Sequence, residues 1–139
     1  MSQEASSFSA LSNTKYLSID RNQDLPYLET LEISNCSKLK DFSPSIQYLT
    51  FLKRFQIENC EELDMSNDDL VTWRSLRSLQ ILEFFSLPKL LALPQGIQHA
   101  TGLESLVISD CKRFTSIPEW INNLKSLQIL SILACPTLK

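Results

Sequence analysis

Glycine is nearly missing from this chain. Two in 139 residues leave no glycine-rich loop to cradle a phosphate, and nothing matches the P-loop pattern GxxxxGK(S/T). Histidine occurs once, at His99, with no acid or nucleophile repeated around it, so no catalytic triad can be assembled. Basic charge is not in surplus: 13 Lys and Arg against 16 Asp and Glu give a net charge of -3, the wrong sign for a nucleic-acid surface. No uninterrupted apolar run is long enough for a membrane span. The opening MSQEASSFSALSNTK has neither a basic start nor an apolar core, so it does not read as a secretory signal. The four cysteines lack the paired CxxC spacing of zinc sites. The acidic run Glu58, Glu61, Glu62, Asp64, Asp68 and Asp69 lacks the DxDxDG pattern of a calcium loop and reads as a solvated edge.

What is present is a ladder. Leu103, Leu106, Ile108, Cys111, Phe114 and Ile117 stand at offsets 0, 3, 5, 8, 11 and 14. Leu28, Leu31, Ile33, Cys36, Leu39 and Phe42 repeat them, as do Leu79, Leu82, Phe84, Leu87, Leu90 and Leu93. Leu52, Phe55, Ile57, Cys60 and Leu63 follow the same template with Ser66 in the last slot, and Leu127, Leu130, Ile132, Cys135 and Leu138 close the series. The starts at 28, 52, 79, 103 and 127 give periods of 24, 27, 24 and 24, the signature of a repeat array.

Offsets 3 and 5 differ by two, which is strand spacing, so both side chains share a face. The three-residue steps that follow fit neither a strand nor a long helix. They fit a chain that turns inward at each step and buries its apolar edge only by stacking on its neighbours. The expected fold is α/β: a solenoid with a curved parallel sheet of about 5–6 short strands, and short 3₁₀ or α turns and loops on the convex side. Brief turns are expected near 95–99 and 119–123, where Pro94 and Pro118 can open them, and a short helix near 68–73 behind the Ser66–Asp69 segment. Pro44 disfavours a regular helix in the first return. Residues 14–25 read as a shortened first unit. Near Leu76 and Leu79 two registers satisfy the template; Leu79 is preferred because Pro94 then matches Pro118. Residues 1–13 are expected to be a frayed lead-in and 14–139 the repeat domain.

Cys36, Cys60, Cys111 and Cys135 all occupy offset 8, with Leu87 in the middle repeat. A small, largely buried side chain fits this slot, and free cysteine behaves as one. The five form a structural ladder that points to a reducing compartment, although spacing alone leaves disulfides between neighbouring coils open. Asn35-Cys36-Ser37 matches the glycosylation sequon, but Cys36 belongs to the buried ladder.

Residues at offsets 2, 4 and 6 point away from the core and line the concave face. Glu32, Arg54, Gln56, Glu58, Ile81, Glu83, Phe85, Val107 and Ile129 are the candidate protein-binding residues. Apolar side chains beside charges on one face suit a protein contact. No catalytic, cofactor or metal residue is assigned.

The segments LETLEISNCSKL, LKRFQIENCEEL, LESLVISDCKRF and LQILSILACPTL resemble leucine-rich repeats. With SLPKLLALPQGI, SIPEWINNLKSLQIL and ACPTLK, the chain is similar to the C-terminal repeats of plant intracellular nucleotide-binding leucine-rich-repeat disease-resistance receptors of the coiled-coil type. That resemblance implies a non-enzymatic recognition module in the cytoplasm. Its partner would be a pathogen effector, a guarded host protein or the receptor's own nucleotide-binding domain, held in an autoinhibitory contact. No cofactor, nucleic acid or membrane span is implied. The alternative is an adaptor, such as a substrate-recognition arm for ubiquitin ligation. The last ladder, lacking a cap, is expected to make the isolated chain marginally stable or self-associating.

Overall fold

A computed structural model describes residues 16–19, 27–42, 44–66 and 70–139. Six strands form one sheet in chain order: β1 Tyr16–Ile19, β2 Thr30–Ser34, β3 Arg54–Glu58, β4 Ile81–Phe85, β5 Ser105–Ser109 and β6 Ile129–Leu133. Strands β2 to β6 are parallel and in register, so that Ile33, Ile57, Phe84, Ile108 and Ile132 form one row. Inside β2 to β5 buried and half-buried residues alternate, as a two-residue period requires when one face packs on a core. Leu82 and Phe84 lie in register with Phe55 and Ile57 and are buried, which places the third repeat's start at Leu79.

The first strand corrects the reading of 14–25 as a shortened parallel unit. β1 runs antiparallel to β2, Leu17 opposite Ile33 and Ile19 opposite Leu31. Ten residues separate Ile19 from Thr30. A parallel crossover needs about a dozen or more, whereas an antiparallel return needs far fewer. The expected lead-in over 1–13 lies outside the described residues.

The returns are short, as the prolines and the period dictate. 3₁₀ turns span Pro44–Tyr48, Gln95–His99 and Glu119–Asn123. Pro94 and Pro118 precede the last two, and their carbonyls accept from the amides of Ile97 and Ile121 at 3.1 and 3.2 Å. A proline there loses no intrahelical donor. The longer second return makes a helix, α1, over Leu70–Ser75, two residues beyond the expected span; of its expected cap, Ser66–Asp69, residues 67–69 lie outside the described residues.

Trp73 sits six residues before its next repeat start, the slot held elsewhere by Ile46, Ile97 and Ile121. The backbone agrees: the amides of Leu49, Leu76, Ala100 and Leu124 donate to the carbonyls of Ile46, Trp73, Ile97 and Ile121. The indole lies 6.2–6.5 Å from the rings of Phe42, Phe55 and Phe84, centroid to centroid, and forms the hub of an aromatic cluster in the core. Ile117 does not belong to the buried ladder as expected. It is 38% exposed.

After each strand the chain turns through a left-handed residue at offset 7: Asn35, Asn59, Ser86, Asp110 and Ala134, with φ between 52 and 58°. The first four of these amides donate to the last carbonyl of the next strand, at 2.9–3.0 Å. The ladder of backbone bonds therefore continues past the strand ends into the turn, which drops the following cysteine or Leu87 into the interior.

Candidate protein-binding face

In-register parallel strands turn the offsets into columns across the sheet. At offset 2 they place Thr30, Arg54, Ile81, Ser105 and Ile129 side by side; at offset 4, Glu32, Gln56, Glu83, Val107 and Ser131; at offset 6, Ser34, Glu58, Phe85, Ser109 and Leu133. All nine candidate binding residues thus share one face. Eight are half-buried and Ile129 is 55% exposed.

The charges are not independent. Arg54 on β3 reaches diagonally to β4, where its Nε and Nη2 donate to Glu83 Oε1 at 3.1 and 2.9 Å. The same Nη2 donates to Gln56 Oε1 at 3.1 Å. Three candidate residues are therefore spent largely on one another. At a partly exposed site such a pair contributes roughly 0.2–1 kcal/mol, but it holds all three side chains in one arrangement. Glu32 and Glu58 have no ion-pair partner among the described residues. Towards β6 the face becomes apolar through Ile81, Phe85, Val107, Ile129 and Leu133.

The cysteine ladder behaves as packing. Cys36, Cys60 and Cys111 are buried, Cys135 is half-buried, and all four are free thiols. Each thiol donates to the carbonyl two residues earlier: Ser34, Glu58, Ser109 and Leu133, at 3.2–3.6 Å. Burial pushes the Cys60 and Cys111 thiols up to about 11, far from the thiolate that a nucleophile or metal ligand needs. Leu87 fills the fifth slot, also buried. Among the described residues no group of three His, Cys, Asp or Glu is placed to hold a metal ion, and no helix is long and apolar enough to cross a membrane.

At the turn edge of the face, Ser86 Oγ donates to Asp110 Oδ2 at 2.9 Å, and Lys112 Nζ lies 3.2 Å from Asp110 Oδ1. The Ser86 bond, followed by Lys112, holds the Asp110 carboxyl below its ordinary value. Asn59 Nδ2 donates to Asn35 Oδ1 at 2.7 Å along the same edge. A hollow of about 340 Å³ is lined by Lys40, Asp41, Glu62, Asp64 and Lys89. Lys89 is taken by Glu62 at 3.0 Å. His99 is exposed on its 3₁₀ turn, away from any other candidate.

One feature escaped the sequence reading. Tyr27 and Phe51, each one residue before a repeat start, pack with tilted rings 5.3 Å apart while 57% and 50% exposed. Their recurrence at offset -1 was the available signal. Leu133, which the offsets place on the apolar part of the concave face with Ile129, is 59% exposed.

Comparison with known proteins gives a family match over residues 5–139, to a model described as plant disease resistance protein RPS2-like, leucine-rich repeats. Three relatives from Arabidopsis thaliana are similar to the chain. Disease resistance protein RPP4 is 40% identical over 62 residues, 45% of this chain and 5% of that protein. Disease resistance protein RPS6 is 29% identical over 130 residues, 84% of this chain and 11% of that protein. Protein SUPPRESSOR OF npr1-1, CONSTITUTIVE 1 is 30% identical over 119 residues, 84% of this chain and 7% of that protein. The chain thus spans between 5% and 11% of the length of these relatives.

Proposed function

Since this chain belongs to the RPS2-like leucine-rich-repeat family of plant disease resistance proteins, we propose that its concave face recognises another protein, without catalysis. The partner in this reading is a pathogen effector, a guarded host protein or the nucleotide-binding domain of the same receptor. The repeat domain runs over 14–139, with 1–13 as its lead-in, and the protein works in the cytoplasm, a compartment that suits four free thiols. The observation that carries the reading is the composition of one sheet face. A clasp of Arg54, Gln56 and Glu83 stands beside Ile81, Phe85, Val107 and Ile129. Apolar centres with a fixed polar border are how protein contacts are built.

The test is the affinity of the nucleotide-binding domain of the receptor that carries these repeats, measured against wild type and Phe85→Ala/Val107→Ala. Removing central apolar contacts is expected to weaken binding at least tenfold, since such positions contribute on the order of 2 kcal/mol or more each. Circular dichroism controls for folding. The same pair of chains is then measured against effectors and host proteins. Unchanged affinity for every partner of the parent protein defeats the proposal.

A further inference from the structure

The offset-6 column has an order of its own. Glu58 on β3 stands directly opposite Phe85 on β4, followed by Ser109 on β5 and Leu133 on β6. Glu58 has no ion-pair partner among the described residues, whereas Glu83, on the neighbouring column, is occupied by Arg54. The column therefore offers a carboxylate, an aromatic ring, a small residue and an exposed aliphatic side chain, in that order.

Distances turn this order into a recognition pattern. Adjacent strands lie ~4.8 Å apart, so Glu58 and Leu133, three strands apart, are separated by ~14 Å. An extended chain advances ~3.3 Å per residue, so about four of its residues cross that gap. In an extended chain residues i and i+4 point to the same side, as i and i+3 do not. A carboxylate beside an aromatic ring suits a guanidinium or ammonium, which pairs with the first and lies over the second. Ser109 leaves room for the residue between.

We propose that the concave face takes an extended protein segment laid across the strands, with an Arg or Lys on Glu58 and Phe85 and an apolar residue four positions away on Leu133. This rests on the protein-recognition reading and adds the chemistry of the partner. Glu32, also without a cationic partner, extends the preference for positive charge towards β2.

Three synthetic nine-residue peptides in a Ser/Thr background test it. One carries Arg and Leu four apart, one Glu and Leu four apart, and one Arg and Leu three apart. Each is titrated into the full ¹⁵N-labelled chain and followed by amide shifts. The first peptide is expected to bind at least tenfold tighter than either other, with shifts on β3 to β6. Glu58→Gln is expected to remove most of the preference for Arg over Glu, and its own spectrum reports whether the fold is kept. Equal affinity for the Arg and Glu peptides on this face, or equal affinity for both spacings, overturns the segment pattern while leaving concave-face recognition standing. Shifts confined to residues outside the face, with all three peptides, overturn the pattern and count against the broader reading as well.

Discussion

Gly96 shows how one residue can serve another one strand away in sequence. A Cβ added there would stand 2.7 Å from Trp73 Cβ, closer than carbon atoms tolerate, with the indole ring atoms next at 3.1 and 3.2 Å. The Cβ and indole of Trp73 can approach this closely because the neighbour has no side chain. Gly96→Ala is expected to destabilise the fold by about 1–3 kcal/mol through overpacking, read as a lower urea midpoint at unchanged slope. Isoleucine keeps a Cβ at position 73, so in a Trp73→Ile background the closest clash should remain and only the share due to the indole should be relieved, which a double-mutant cycle measures. The partnership was invisible to a forward count from each repeat start, which put Trp73 in an irregular acidic return. Counting back from Leu79 exposes it. The left-handed turn was half legible: Asn35, Asn59 and Asp110 are types that tolerate positive φ, but Ser86 and Ala134 obscure the column.

Strands and turns were readable to within a residue or two because period alone fixes them. Leu31 and Ile33, two apart, could only share a face, and Pro94 and Pro118 could only open a turn. β1 was not readable. Leu17 and Ile19 satisfy the ladder in either direction, and only the ten-residue connection to Thr30 decides the orientation. At this scale the turn after β5 is open to a pH test. Asp110 has a depressed pKa in the folded state, from Ser86 first and Lys112 second, relative to an ordinary 3.8. A carboxyl bound more weakly by protons when folded stabilises the fold above that ordinary value and ceases to as pH falls through the lowered one. Wild type should therefore lose stability as pH falls through the ordinary 3.8 and on through the lowered value. Asp110→Asn should be less stable than wild type at pH 7 and should converge on it at low pH, as followed by thermal melts. Asp64, held down by the Ser66 bond, adds a slope of the same sign.

Across the whole molecule, burial is uneven. The interior is continuous from Leu28 to Phe114, but in β6 Leu130 is 41% exposed and Ile132 only partly covered. In a stacked array each coil draws stability from its neighbours, so opening is expected to be easiest where stacking is one-sided. Thiol alkylation at neutral pH should therefore modify Cys135 first. Cys60 and Cys111, buried and with raised pKa, should react only when the array opens. Mass spectrometry of a time course resolves the order, and simultaneous labelling of all four contradicts it. Which residues share the concave face was legible from the offsets. That Arg54 is already engaged by Glu83 was not, because a diagonal reach across strands depends on register and rotamer together.

The second return is three residues longer than its neighbours, yet β3 and β4 stay in step along their full length. The backbone bonds that fix the pitch lie at the strands, at the turn after them and at the entry to the next strand, so surplus chain is absorbed on the outside as α1. An engineer wishing to splice a tag or reporter loop into this scaffold should choose the return between β3 and β4, whose three extra residues leave the inner curve undisturbed.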